Sequence, residues 1–283
     1  MEQATSGAAE RHLEEKTMSG APTAERRVEW ALARAQVYRL LAHAFFQPDS
    51  PLSRIKANGH LLAHGRAALA TLPGAAPLLK QLDVVSEGLR STSRRELARQ
   101  YVALFSHGWE GASLPYETEY TTPHTFQKQT QLADVAGFYR AFGLQWETQG
   151  HERPDHLSLE LEYMNYLSLK EAHALAQGVE EGVAVCVDAQ KAFLRDHLGR
   201  WLGVFRRALA GRAYDGLYAE LARLIEDYVA WDSRRQGVRP SPVRAAEPQT
   251  PETFEQWNNG TGSGAPLCSD AELFHCSSVC GRG

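Results

Sequence analysis

Apolar residues recur along this chain at three- and four-residue steps, the spacing that gathers one face of an α-helix. Over residues 30–46, Ala31, Ala35, Tyr38, Leu41 and Phe45 keep that spacing, and Pro48 and Pro51 end the run. Residues 77–89 and 93–105 predict two more helices, the second opened by Ser93 with Glu96 three residues on, the pattern of a capping box. A loop containing Gly and Pro spans 108–123, helical spacing resumes over 126–142, and Gly143 follows as a C-cap. A long helix is predicted from Asp155 to about Gln177, then one over 188–210 and one over 214–231. Alternating apolar and polar positions are nearly absent, so the pattern predicts an all-α fold, a single globular helical-bundle domain of seven or more helices.

Composition sets the edges of that domain. Residues 1–27 are polar and charged and read as a flexible, disordered N-terminal segment; residues 28–236 carry the helical pattern; residues 237–283 collect Pro240, Pro242, Pro248, Pro251, Gly260, Gly262 and Gly264 and read as a disordered linker and tail. A chain of 283 residues with 43% hydrophobic content can bury a sizeable core. Net charge is −4, which does not favour nucleic-acid binding. No apolar run reaches the roughly 20 residues that span a bilayer, so no membrane insertion is expected. Arg26-Arg27 is followed by Val-Glu-Trp rather than an apolar stretch, so the N-terminus is not read as an export signal and the expected location is cytoplasmic.

The densest chemistry lies in Glu152-Arg153-Pro154-Asp155-His156, just before the longest predicted helix. Pro154 and Asp155 form a helix-start signal, Asp155 accepting from free N–H groups of the first turn. Beyond them Leu157, Leu161, Met164 and Ser168 share one face. Asp155 serves equally as a cap or as a ligand contact, and His156 can bond Glu160 one turn on. Glu160 and Glu162 read first as a solvated helix edge. Tyr101, Leu104 and Phe105 sit at helical spacing and read as core before they read as the wall of a groove. Glu117 and Glu119 stand in a loop, where polar residues more often carry function.

Two other chemistries are open. Asp155, His156 and Glu160 could serve a metal- or nucleotide-dependent enzyme, but no His-x-x-x-His or Glu-x-x-His element and no Walker-type glycine loop accompanies them. Cys186 stands alone in an apolar stretch and reads as a buried small residue. Cys268, Cys276 and Cys280, with His275, could hold zinc or an iron–sulfur group, though their spacing is not that of a common zinc knuckle.

Several segments together resemble the TorD/DmsD/NarJ family of molybdoenzyme chaperones. Glu152, Pro154, Asp155 and His156 match its Glu-x-Pro-Asp-His pattern, and Tyr101, Leu104 and Phe105 its aromatic-x-x-Leu-Phe pattern. Pro115-Tyr116-Glu117-Thr118-Glu119-Tyr120 is similar to its Tyr-Glu-Ser-x-Tyr loop, with Thr118 replacing Ser. The run from Phe138 to Leu144, and Phe193, Leu194, His197, Leu198 and Trp201, continue the likeness, in order, from about residue 31 to 231. The resemblance implies a non-catalytic cytoplasmic chaperone, monomer or homodimer. Its partners would be a molybdoenzyme catalytic subunit and that subunit's twin-arginine signal peptide. No cofactor would be bound permanently, but the chaperone would assist handover of molybdopterin guanine dinucleotide to its client and delay export until folding is complete. Tyr101, Leu104, Phe105, Tyr116, Glu117, Glu119, Glu152, Pro154, Asp155, His156 and Glu160 would form the client-binding site, carboxylates for arginines and aromatic walls for an apolar helix.

Overall fold

Thr23 Oγ1 accepts from Arg26 N at 3.3 Å and starts helix α1 (Ala24–Ala42), whose Val37, Tyr38 and Leu41 turn inward. This computed structural model describes residues 22–46, 59–105, 114–122, 125–145, 153–211, 216–241, 243 and 275–276. The partner of α1 is α7 (Leu157–Gln177), and their contact is the most extensive in the molecule. Leu157, Leu161, Met164 and Ser168 are all buried, as their shared face predicts. Leu159, Tyr163 and Leu167 are buried too, so α7 is enclosed nearly all round and acts as the central post.

The remaining helices surround this pair. Helix α2 (Gly59–Thr71) packs on α1 and on α3 (Ala76–Ser91), while α8 (Glu180–Asp196) packs on α7. Helices α9 (Leu198–Ala210) and α10 (Leu217–Arg235) lie on each other, α10 also meeting α3. Helix α4 (Arg94–Phe105) opens with Ser93 Oγ accepting from Glu96 N at 3.2 Å, the N-cap half of the predicted box. The short α5 (Thr118–Thr121) and α6 (Thr125–Ala141) complete the helices among the described residues. A two-residue antiparallel pairing joins β1 (Leu144–Gln145) to β2 (His275–Cys276). The fold is all-α, as predicted.

The differences from expectation have local causes. Helix α1 begins six residues before position 30, because Thr23 caps a polar first turn that carries no apolar stripe. Helix α2 was not expected; its stripe is only Leu61, Leu62 and Leu69 among alanines and glycines. The helix expected over 188–210 is two helices, broken at His197 (φ −127°, ψ −100°), and its first half reaches back to Glu180. Cys186 is buried on α8.

A buried ion cluster ties the post to its neighbours. Arg34 of α1 donates to both oxygens of Asp232 of α10 at 2.7 and 3.0 Å, and to Glu171 of α7 at 2.9 Å. It also reaches Gln190 of α8, and Tyr38 OH donates to Asp232 at 2.7 Å. Burial opposes the charge of Arg34, but Asp232 and Glu171 more than offset it and raise its pKa further.

Candidate binding site at the start of the central helix

The two loops that carry the densest chemistry are one structure. Leu157 N donates to Pro115 O at 2.8 Å and Glu117 N to Asp155 O at 2.9 Å, which pairs Tyr116 with His156 in a single antiparallel bridge. Pro154, with no N–H to satisfy, offers its carbonyl to Tyr139 OH at 2.8 Å. His156 is the N-cap of α7, its Nδ1 accepting from Ser158 N at 3.1 Å, so that nitrogen carries no proton. Its ring stacks on Phe46 and meets Tyr116 edge-on.

Asp155 therefore does not cap α7, as the sequence suggested. Its Oδ2 instead accepts from Thr118 N at 3.0 Å and Thr118 Oγ1 at 2.8 Å, holding the start of α5 from across the bridge. Its carboxylate is also forked by Arg153, at 3.0 Å from Nε and 2.7 Å from Nη2. The same guanidinium donates to Glu119 at 2.9 Å, reaches Thr118 Oγ1, and lies 4.4 Å over the Tyr116 ring. Lys128 reaches the other oxygen of Glu119 at 2.9 Å. Burial opposes the charge of Arg153, yet Asp155 and Glu119 hold its pKa above the ordinary value.

Behind this layer lies a buried acid pair. Glu160 is fully buried and accepts from Trp201 Nε1 at 3.1 Å, so it is neither a solvated edge nor the partner of His156. Glu117 is likewise buried and lies 3.1 Å from His197 Nδ1, while His197 Nε2 is 3.3 Å from Asp134 at the rim. One oxygen of each, Glu117 Oε1 and Glu160 Oε1, has no hydrogen-bond partner among the described residues. Burial, and then the charge of Glu117, push Glu160 well above the usual carboxylate range. Burial raises Glu117 as well, with His197 pulling the other way.

Tyr101, Leu104 and Phe105 do not wall a groove. They lie in the core, where Tyr101 and Phe105 pack edge-on against Tyr218 and Phe45 meets Phe105. Pro154 and Glu119 keep partial exposure, whereas Tyr116, Glu117, Asp155, His156 and Glu160 are buried. Glu152 and Cys268 and Cys280 lie outside the described residues; of Cys276 only the backbone, in β2, is described. Among the described residues no group of three or more His, Cys, Asp or Glu side chains is placed to hold a metal. The zinc or iron–sulfur expectation for the tail is untouched by this, since its thiols are outside that set. Sequence reading missed Arg153 as a functional group; its place inside the motif, between the acids Glu152 and Asp155, was the available signal.

At this site two carboxylates, Asp155 and Glu119, hold the one guanidinium of Arg153. Residues 66–207 match the family model described as nitrate reductase delta subunit. The chain is 30% identical over 207 residues to the perchlorate reductase assembly chaperone of Dechloromonas aromatica, covering 72% of this chain and 89% of that protein. It is 25% identical to the chaperone TorD of Shewanella loihica, over 73% of this chain and 94% of TorD. Against the selenate reductase assembly chaperone of Thauera selenatis it is 29% identical, over 64% and 92% respectively. The chain belongs to this TorD-type family of reductase-maturation chaperones, whose named members are assembly proteins and not enzymes.

Proposed function

We propose that this chaperone binds the twin-arginine signal peptide and the apo form of a molybdoenzyme catalytic subunit in the cytoplasm. It holds that client for insertion of molybdopterin guanine dinucleotide before export. The observation that carries the reading is the seat around Arg153. Asp155, Glu119 and the Tyr116 ring surround one guanidinium with forked acceptors and an aromatic face, which is the recognition a signal arginine requires. Glu119 is the part of that seat a guest reaches, because its carboxylate keeps partial exposure and is shared between Arg153 and Lys128. Asp155, His156 and Glu117 brace the seat from beneath. That the relatives are named as assembly chaperones for reductases supports the choice of client.

The test uses the full chain and a synthetic peptide with two consecutive arginines followed by an apolar helix-forming run. Calorimetric titration is expected to show saturable binding that weakens by about tenfold in Glu119→Gln, the loss of one charge-assisted pair. Replacing both peptide arginines by lysine weakens it too, since an ammonium cannot fork a carboxylate. Unchanged affinity in Glu119→Gln, with an unchanged circular dichroism spectrum, would overturn the assignment of the seat. Molybdenum content of the reductase purified from cells carrying the same variant reads the cofactor step.

A further inference from the structure

A second surface, independent of that seat, lies on the face of α9 opposite Trp201. There the helix presents Gly199 and Gly203, two positions a turn apart. A Cβ at Gly199 would stand 2.6 Å from Pro240 Cγ, and one at Gly203 would stand 3.0 Å from Glu226 Oε1. Pro240 thus packs directly on Gly199 and the Glu226 carboxylate on Gly203, and beside these contacts a groove of about 330 Å³ lies between α9, α10 and residues 238–240. Its floor is apolar, from Leu202, Val204 and Val229.

Arginine dominates the rim. Arg207, Arg234 and Arg239 line the groove and are exposed, and none has a carboxylate partner among the described residues. Glu226, the acid that lines it, is already paired with Arg206. This concentration of arginine stands out on a chain whose net charge is −4. At the base, Ser233 is 2% exposed and its hydroxyl has no hydrogen-bond partner among the described residues. A buried hydroxyl left unpaired costs stability unless something meets it. One edge of the groove already accepts non-helical backbone: Val238 N donates to Ser233 O at 2.8 Å, and Val243 N to Arg200 O at 3.1 Å.

These features select among anions. Among the described residues no aromatic ring lines the groove to stack on a nucleobase. A basic signal peptide would be repelled by the rim. An apolar floor beneath arginines, with a hydroxyl at backbone depth, suits an acidic peptide with an apolar anchor. We propose that this groove binds an extended acidic segment of a partner protein, its carboxylates forked by Arg207, Arg234 and Arg239, its apolar anchor on Leu202, Val204 and Val229, and its backbone met by Ser233 Oγ.

The experiment titrates the full chain with a fluorescein-labelled dodecapeptide of alternating Glu and Leu. The controls are the corresponding Lys/Leu peptide, inorganic phosphate and a single-stranded oligonucleotide. Saturable binding of the Glu/Leu peptide is expected, weakened about tenfold or more in Arg207→Glu/Arg239→Glu and a few-fold in Ser233→Ala. The reversed variant is expected to gain affinity for the Lys/Leu peptide, an outcome that loss of folding cannot mimic. Absence of saturable binding, or equal arginine-dependent binding of phosphate or the oligonucleotide, would overturn the proposal. So would peptide binding seen only after Glu247→Gln/Glu252→Gln/Glu255→Gln, because the groove would then belong to this chain's own acidic stretch. Neither result touches the Glu119 titration.

Discussion

Glu160 shows how far one residue's role departs from its look in the sequence. On a helical wheel it is an acid at the start of a helix, where the backbone dipole favours it. In the fold it is fully buried against Trp201, and burial, then the charge of Glu117, push its pKa well above the usual carboxylate range. The consequence for stability has a definite sign. A glutamate in the unfolded chain ionises near pH 4.3. Between that pH and the raised folded value, the native state binds the extra proton, so stability falls as pH rises, by up to about 1.4 kcal/mol per pH unit for one proton. Glu160→Gln keeps a donor and an acceptor but has no proton to lose. Urea unfolding between about pH 5 and about pH 8 is expected to show this decline in the parent chain and a flatter profile in the variant. Equal slopes would mean that the pair is ionised as two separate acids. Of the motif that holds this site, the helix start was legible from Pro154 and Asp155. Its division of labour, with His156 capping and Asp155 reaching across to Thr118, was not, because Thr118 lies 37 residues away from Asp155.

At the scale of elements, ends are decided by short-range geometry. Helix α7 stops at Gly178, which takes φ +67° and donates to Ala174 O and Leu175 O. No atom lies within 4 Å of where a Cβ would stand, so a substitution there meets backbone strain and no clash. Gly178→Ala is expected to lower stability by about 1 kcal/mol, and Gly178→Asn by less, since Asn tolerates the left-handed region. A urea midpoint shift at constant slope would confirm it. The break between α8 and α9 is a different kind of end. Gly199 stands two residues past it, where a Cβ would clash with Leu194 O, and His197 leaves helical geometry where its ring lies between Glu117 and Asp134. The periodicity of residues 188–210 runs straight through that point, which is why one helix was expected where two stand.

At the scale of the molecule, the post formed by α1 and α7 is locked to α8 and α10 through Arg34. Removing one partner of a buried pair strands the other charge. Asp232→Ala is therefore expected to cost about 3–5 kcal/mol, whereas Arg34→Met combined with Asp232→Leu loses less than either change alone. Thermal unfolding of Asp232→Ala, of Arg34→Met and Asp232→Leu singly, and of the double variant measures this, and a fully additive double variant would show that the pair is not coupled.

What the sequence determined by itself was local in origin: the helical class, most helix limits, the Ser93 and Gly143 ends, and the ordered motifs that mark the family. Periodicity and capping act within a few residues, so they can be read along a line. What only the tertiary structure decided depends on groups far apart in the chain. Glu117 meets His197 across 80 residues, and Arg34 meets Asp232 across 198. Whether an acid is solvated, forked by an arginine or kept neutral beside another acid follows from what the fold places against it. That placement made Arg153 the centre of the candidate site and decided between the two readings of Tyr101, Leu104 and Phe105 in favour of core.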